Sequence, residues 1–366
     1  MSGRAPAFDR FARWPRGAAW TALAGIALVL ACAVWTAPSA PRIEAAPATS
    51  AAATAAQRDT DLQLYDRIAE RVAAGENYYA AAIDEQRAGN FPVRPGFAVR
   101  LPALAFLTAW LGPNGLLALA VLLGLGVLAA WWDRLGEEPG GRERRVIAML
   151  LLAVGALAGL KSEYLALHEV WAGLLLALGG GLHRPGRWRA AWLPVALALA
   201  IREHALPFVL LLAALAAWRR DWRELAAWLL LIALFAIGLG FHLQAVGEHL
   251  LPGDRPSPSW LAFRGLGGWT GNVVESSVLH LLPAWLAAPL ALLPLVGWAG
   301  WKTGLGSFYA LLFLGYGLLF MIAGRDNNFY WALVVTPAWF VGYAFLPMAL
   351  RSLLASARGA REWRGT

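Results

Sequence analysis

Ionisable residues gather into a few short turns of an otherwise apolar chain. Lys161-Ser162-Glu163-Tyr164 is followed closely by His168 and Glu169. Arg202-Glu203-His204 forms a second cluster, His242 stands near the end of a later apolar run, and Arg325-Asp326-Asn327-Asn328 forms a further one. Lys161, Arg202 and Arg325 suit a phosphate or pyrophosphate, Arg through its bidentate fork and Lys as a point charge. Residues 58–102 make the one long polar stretch, and its carboxylates suit proton abstraction or a divalent metal held by oxygen ligands. A lipid phosphate below and a general base above describe group transfer from a lipid carrier. Metal dependence stays open, since His168, His204 and His242 fit no tight zinc spacing and read as structural.

The elements that must position these residues are membrane helices. With 59% apolar residues and 20 Trp in 366 residues, the chain carries more apolar surface than one water-soluble core can hide. A hydrocarbon layer about 30 Å thick needs roughly 20 apolar residues of helix, and helices satisfy their own backbone polar groups. The expected fold is an all-α membrane protein of about ten transmembrane helices, with juxtamembrane helices in the first extracytoplasmic loop. The net charge of +8 is scattered through short loops rather than gathered on one face, so nucleic acid is not an expected partner. The single Cys32 excludes an intrachain disulfide and gives no thiol metal site. The tryptophans read as interfacial belts.

Residues 1–17, with Arg4, Arg10, Arg13 and Arg16, read as a cytoplasmic N-terminus, and 18–36 as the first transmembrane helix. A cleaved signal peptide competes, because TAPSAP follows, yet the apolar run exceeds the usual h-region. Residues 37–57 form an Ala/Pro-rich flexible tether. Residues 58–113 form the extracytoplasmic loop. There Leu62, Tyr65, Ile68, Ala69 and Val72 recur at helical spacing, and Gly75 is placed for a left-handed cap. A second helix, 78–88, is expected to end the same way at Gly89, and Pro92 and Pro95 then break the helix. A short juxtamembrane helix over 99–111 meets Gly112-Pro113-Asn114-Gly115.

Residues 114–349 form the bundle, with spans near 116–132, 146–160, 164–182, 190–201, 205–218, 224–243, 279–300, 304–323 and 329–349, and 350–366 form a cytoplasmic tail. The positive-inside rule supports this arrangement: Arg134, Arg142, Arg144, Arg145, Arg184, Arg187, Arg189, Arg219, Arg220, Arg223 and Arg351 all fall on the side of the N-terminus. The mixed clusters then share the opposite face. Ionisable groups at a span's centre cost about 2.5–3.5 kcal/mol on insertion scales, and less near helix ends. Each cluster alone is therefore also readable as a solvated outer turn.

The loop resembles the first extracytoplasmic loop of GT-C class membrane glycosyltransferases, which use polyprenyl-phosphate-linked sugars. The resemblance rests on Asp61 in TDLQLY, Tyr65, Gly75 with Tyr79, Arg94-Pro95 and Arg100-Leu101-Pro102. The late segment GRDNNFYWALVVTP, residues 324–337, is similar to an R-x-x-N-x-Y stretch leading into a Pro-containing helix. The tether departs from the pattern by setting the acidic residue further from the first span. The resemblance implies inverting transfer with Asp61 as base, the departing polyprenyl phosphate being held by Arg202, Lys161 or Arg325. The wider implied substrate-binding set is Tyr65, Tyr79, Arg94, Arg100, Lys161, Glu163, Arg202, Glu203, His204, Arg325 and Asn328. Asp59 and Asp66 compete as the base, and Asp61 also suits helix capping. The partners so implied are a polyprenyl-phosphate-linked sugar, a lipid or glycan acceptor and membrane lipids. The implied location is a bacterial inner membrane with the active face outside the cytoplasm. The rivals are a secondary transporter, for which no clear internal repeat is visible, and a lipid-binding membrane assembly protein.

Overall fold

The computed structural model describes residues 7–37, 62–157 and 162–359. Their regular elements are helices: α1 (Arg16–Thr36), α2 (62–73), α3 (Tyr78–Ala88), α4 (Ala103–Glu137), α5 (Arg145–Leu157), α6 (His168–Leu182), α7 (Arg189–Ile201), α8 (Leu206–Trp218), α9 (Trp222–His249), α10 (Gly265–Glu275), α11 (Ala284–Gly300), α12 (Gly304–Ile322), α13 (Thr336–Trp339) and α14 (Leu346–Arg358). Among the described residues, β pairing is limited to isolated bridges such as Leu261 with Ala323.

Four helical stretches are long and apolar enough to cross a membrane: Arg16–Thr36, Gly96–Glu137, Trp222–His249 and Gly304–Ile322. A fifth is available if Thr336–Ala344 and Leu346–Arg358, bent by 49°, make one span. These helices fit an integral membrane protein. By length alone the count falls short of ten. Helices α5, α7 and α8 have 13 residues each, about 20 Å at the helical rise, against a hydrocarbon layer of about 30 Å.

Two stretches differ from the sequence expectation, while the break expected at Gly112-Pro113 is present: Gly112 is non-helical at φ +63° and ψ 178° with Pro113 directly after it, so α4 is two helical segments joined at a kink. The stretch 329–349 is not one helix but a succession of 3-10 turns and the short α13, leading into α14. Pro337 and Pro347 sit in the first turns of α13 and α14, where a missing N–H is harmless, and cannot carry the preceding helix forward. Helix α10 forms where no element was expected, since GLGGWTGNVVE has four glycines and no apolar period.

The described residues fall into two compact units. The first is drawn from Met1–Ala40, Val127–Ala158 and Trp260–Thr366. In it α1 packs on α14 and α11, α10 on α12 and α11, and α5 on the segment 336–344. Its core is aromatic: Trp298 stacks on Tyr309 at 4.8 Å and Trp301 on Phe345 at 3.8 Å. The indole N–H groups of Trp298 and Trp339 donate to the carbonyls of Trp339 and Ala291. The tryptophans are thus of two kinds. Trp35 and Trp218 are exposed near helix ends, as belts require, whereas Trp131, Trp298, Trp301 and Trp339 are fully buried.

The second unit is drawn from Pro41–Gly126 and Gly159–Ser259. In it α6 packs on α7, α8 on α9, and α3 on α9. One Arg-rich turn is more than a topology signal: Glu224, fully buried, pairs with His183 Nε2 at 2.8 Å and accepts from Arg219 at 2.9 Å and Trp228 Nε1 at 3.2 Å.

Candidate functional site

The polar loop of the second unit is folded by local signals. Leu64, Ile68 and Val72 recur every four residues and give α2 one apolar stripe, which joins Tyr78, Ile83, Val93, Val99 and Val246 in a single core. Leu64 takes the core position that the sequence periodicity gave to Leu62, which is only partly buried. Gly75, at φ +90°, ends α2 with its N–H on Val72 and the Glu76 N–H on Arg71, a left-handed cap that a Cβ would strain. Asn77 then caps α3 by accepting from the Tyr79 and Ala80 N–H groups. Helix α3 does not end on a left-handed Gly89. Gly89 keeps φ −83°, and Asn90, at φ +57°, takes the left-handed position instead. Arg67 and Arg71 tie the two helices together through Glu85 at 2.8 and 3.3 Å.

A strap of residues 250–259 secures the end of the loop. Arg87 grips Asp254 with two hydrogen bonds of 2.7 and 2.9 Å, and Arg94 Nη2 donates to the Leu251 carbonyl at 2.7 Å. The Asp254 carboxyl is 4% exposed. The hydrogen bond from Arg87 holds it down at about 2, against the opposing effect of burial.

Below this loop lies a buried polar cluster centred on Arg202, which is 1% exposed. Helix α7 ends at Ile201 and the chain turns to extended geometry at Arg202, so its side chain leaves the apolar face of the helix. Arg202 Nε lies 2.7 Å from Glu169 of α6, itself fully buried, and Nη1 donates to Glu203 at 2.5 Å. Nη2 is buried and has no hydrogen-bond partner among the described residues. Glu203 keeps 30% of its side chain exposed and stands 3.8 Å from His204 Nδ1. Arg100 acts electrostatically on His168, Glu203 and His204, and its Nε donates to the Tyr65 hydroxyl at 3.1 Å. Tyr65 meets the His168 ring edge-on at 5.2 Å. Next to them the Tyr79 ring lies 5.6 Å from that of His242. His242 Nε2 is 3.2 Å from the Val99 carbonyl, while its buried Nδ1 has no partner among the described residues.

The arrangement offers two guanidinium groups, two carboxylates and a set of phenol and imidazole rings. Charge within it is balanced: Arg100 and Arg202 face Glu169 and Glu203. A carboxylate pair of this kind fixes the guanidinium plane, and the remaining Nη2 donor suits an oxyanion.

The predicted residues thus divide. Tyr65, Arg100, Arg202, Glu203 and His204 come together, with Tyr79 beside His242. Arg94 is committed to the 250–259 strap. Asp59, Asp61 and Lys161 lie outside the described residues, as does the side chain of Glu163, while Asp66 is exposed on α2. Arg325 and Asn328 belong to the first unit. There the Asn328 carboxamide caps the turn by accepting the Arg325 N–H at 3.0 Å, and the Arg325 guanidinium lies 5.8 Å above the Trp260 ring.

His168, Glu169 and His242 belong with the cluster although none of them is in the substrate-binding set that the resemblance implies. For Glu169 a signal exists, an acidic residue in the first turn of a strongly apolar helix that must find a cation. For His242 the placement of the span end hid the signal. Helix α9 runs on to His249, so His242 sits inside it, 3% exposed. Among the described residues no group of three or more His, Cys, Asp or Glu side chains is arranged to hold a metal ion. Comparison with known protein families, with curated proteins and with solved structures finds no match for this chain.

Proposed function

We propose that the chain is a membrane glycosyltransferase that moves a sugar from a polyprenyl-phosphate carrier to an acceptor outside the cytoplasm, with inversion. The supporting observation is the Arg202 cluster: a buried guanidinium oriented by two carboxylates, with one donor left over, beside Arg100, Tyr65 and Tyr79 under a folded polar loop. A buried donor without a partner costs about 1–3 kcal/mol. A phosphate oxygen of the departing carrier, accepting from Nη2, removes that cost, and the guanidinium stabilises the negative charge that the carrier takes with it. A phosphate leaves as a stable anion, so the reaction needs a base and no general acid. Asp61, directly before α2 in sequence, is the assigned base, taking the acceptor hydroxyl's proton as that oxygen attacks the anomeric carbon. Tyr65 and Tyr79 offer rings against which a sugar can pack.

The reading carries a topology of ten crossings with both termini in the cytoplasm of a bacterial inner membrane, the shorter helices crossing with the help of their flanking turns.

The test is transfer by the purified protein in liposomes that contain a lipid-linked sugar. Asp61→Asn should abolish consumption of the donor while the protein still expresses and folds. Wild-type rates in that variant would remove Asp61 as base. Movement of labelled solute across sealed liposomes, with no lipid-linked sugar consumed, would replace the whole reading with a transporter.

A further inference from the structure

The first unit contains a second polar corner that shares no residue with the Arg202 cluster. Residues 260–264 run alongside 321–324, with the Arg264 N–H on the Met321 carbonyl at 2.7 Å and the Gly324 N–H on the Trp260 carbonyl at 2.7 Å. Arg264 precedes α10, and its side chain lies along that helix because Gly268 has none: a Cβ there would sit 2.5 Å from the Arg264 Cβ and 2.7 Å from the Phe320 carbonyl. The guanidinium reaches Asn272, whose Oδ1 accepts from Nη1 at 3.0 Å. Gly324, at φ +96°, turns the chain after α12 so that Arg325 follows at the same corner, over Trp260.

Two observations make this more than packing. Asn272 is fully buried, and its Nδ2, on the carboxamide that Arg264 holds, has no hydrogen-bond partner among the described residues. Leu261 and Phe263, on the same segment as Arg264, are 77% and 84% exposed. Large apolar side chains exposed next to cations mark a surface that meets acyl chains and headgroups together.

We propose that Arg264, Asn272 and Arg325 bind the phosphate of an anionic phospholipid, with Leu261 and Phe263 against its acyl chains. Arg264 and Arg325 supply charge, and Asn272 Nδ2 donates to a phosphate oxygen. Arg325 also belongs to the substrate set that the glycosyltransferase resemblance implies, but the lipid site rests on Arg264, Asn272, Leu261 and Phe263, none of which that reading uses.

The experiment is native mass spectrometry of the full-length protein released from nanodiscs of phosphatidylglycerol, with phosphatidylcholine and diacylglycerol nanodiscs in parallel. Retention of phosphatidylglycerol by the wild type is expected, with roughly tenfold or greater weakening in Asn272→Asp and Arg264→Gln. Arg325→Gln, at a half-buried position, is the further variant should the substitution at buried Asn272 fail to fold, and it should weaken retention in the same direction. Asp61→Asn should retain the lipid as the wild type does, whatever its transfer activity. Equal retention of diacylglycerol, or unchanged retention in every folded variant, would overturn the proposal. Displacement of the lipid by millimolar inorganic phosphate would also overturn it, by showing that the site reads free phosphate and gains nothing from the acyl chains.

Discussion

Arg202 and Glu169 form a pair in which neither charge reaches solvent, and that sets the consequence of breaking it. Removing one partner of a buried ion pair leaves the other charge unsatisfied, at a cost of about 3–5 kcal/mol. Arg202→Gln and Glu169→Gln should each lower thermal stability strongly, and the double variant should be more stable than the sum of the two losses. A double-mutant cycle read by thermal unfolding in one detergent checks this; strict additivity would mean that the contact carries no coupling. Asp254 gives a pH-dependent counterpart. Its carboxyl is held at about 2, below the usual 3.8, so the Arg87 clamp stabilises fully above pH about 4 and is lost as pH falls towards 2. Hydrogen exchange in residues 250–259 should rise through that window in the wild type. In Asp254→Asn it should be fast already at neutral pH and flat across the window.

At the level of elements, the loop stands on its caps. Asn77 satisfies two N–H groups at the start of α3, and replacing it with Ala should cost about 1 kcal/mol. Gly75→Ala forces a Cβ into the left-handed region, at about 1–2 kcal/mol. Both losses should appear first as faster proteolysis within 62–102, with the rest of the chain still protected. Helix α10 teaches the opposite lesson. Its glycines carry no period and no side chain, so nothing in residues 265–275 announces a helix. Their value lies in close approach to carbonyls and side chains that only the fold supplies.

For the molecule as a whole, the proposed orientation is open to labelling. Cys32 is the one cysteine, so a Cys32→Ser background accepts single reporters. Glu70→Cys, exposed on α2, should react with a membrane-impermeant maleimide in intact cells. Arg223→Cys, exposed in the first turn of α9, should react only after permeabilisation. The reverse pattern would put the polar loop in the cytoplasm and end the proposal of an extracytoplasmic site.

The all-helical membrane character followed from composition, because so apolar a chain must bond its backbone internally. Local chemistry likewise placed the α3 boundaries, the turn at Gly75 and the clustering of charge at Arg202-Glu203-His204. Tertiary structure alone decided which residues meet. Glu169 faces Arg202 across two helices, Arg94 is drawn to a carbonyl more than 150 positions away in the chain, and Arg264 reaches Asn272 over a glycine. A sequence records spacing along one helix or turn, whereas these partnerships depend on how separate helices are packed, and a buried charge or donor takes whichever partner that packing brings within a few ångströms.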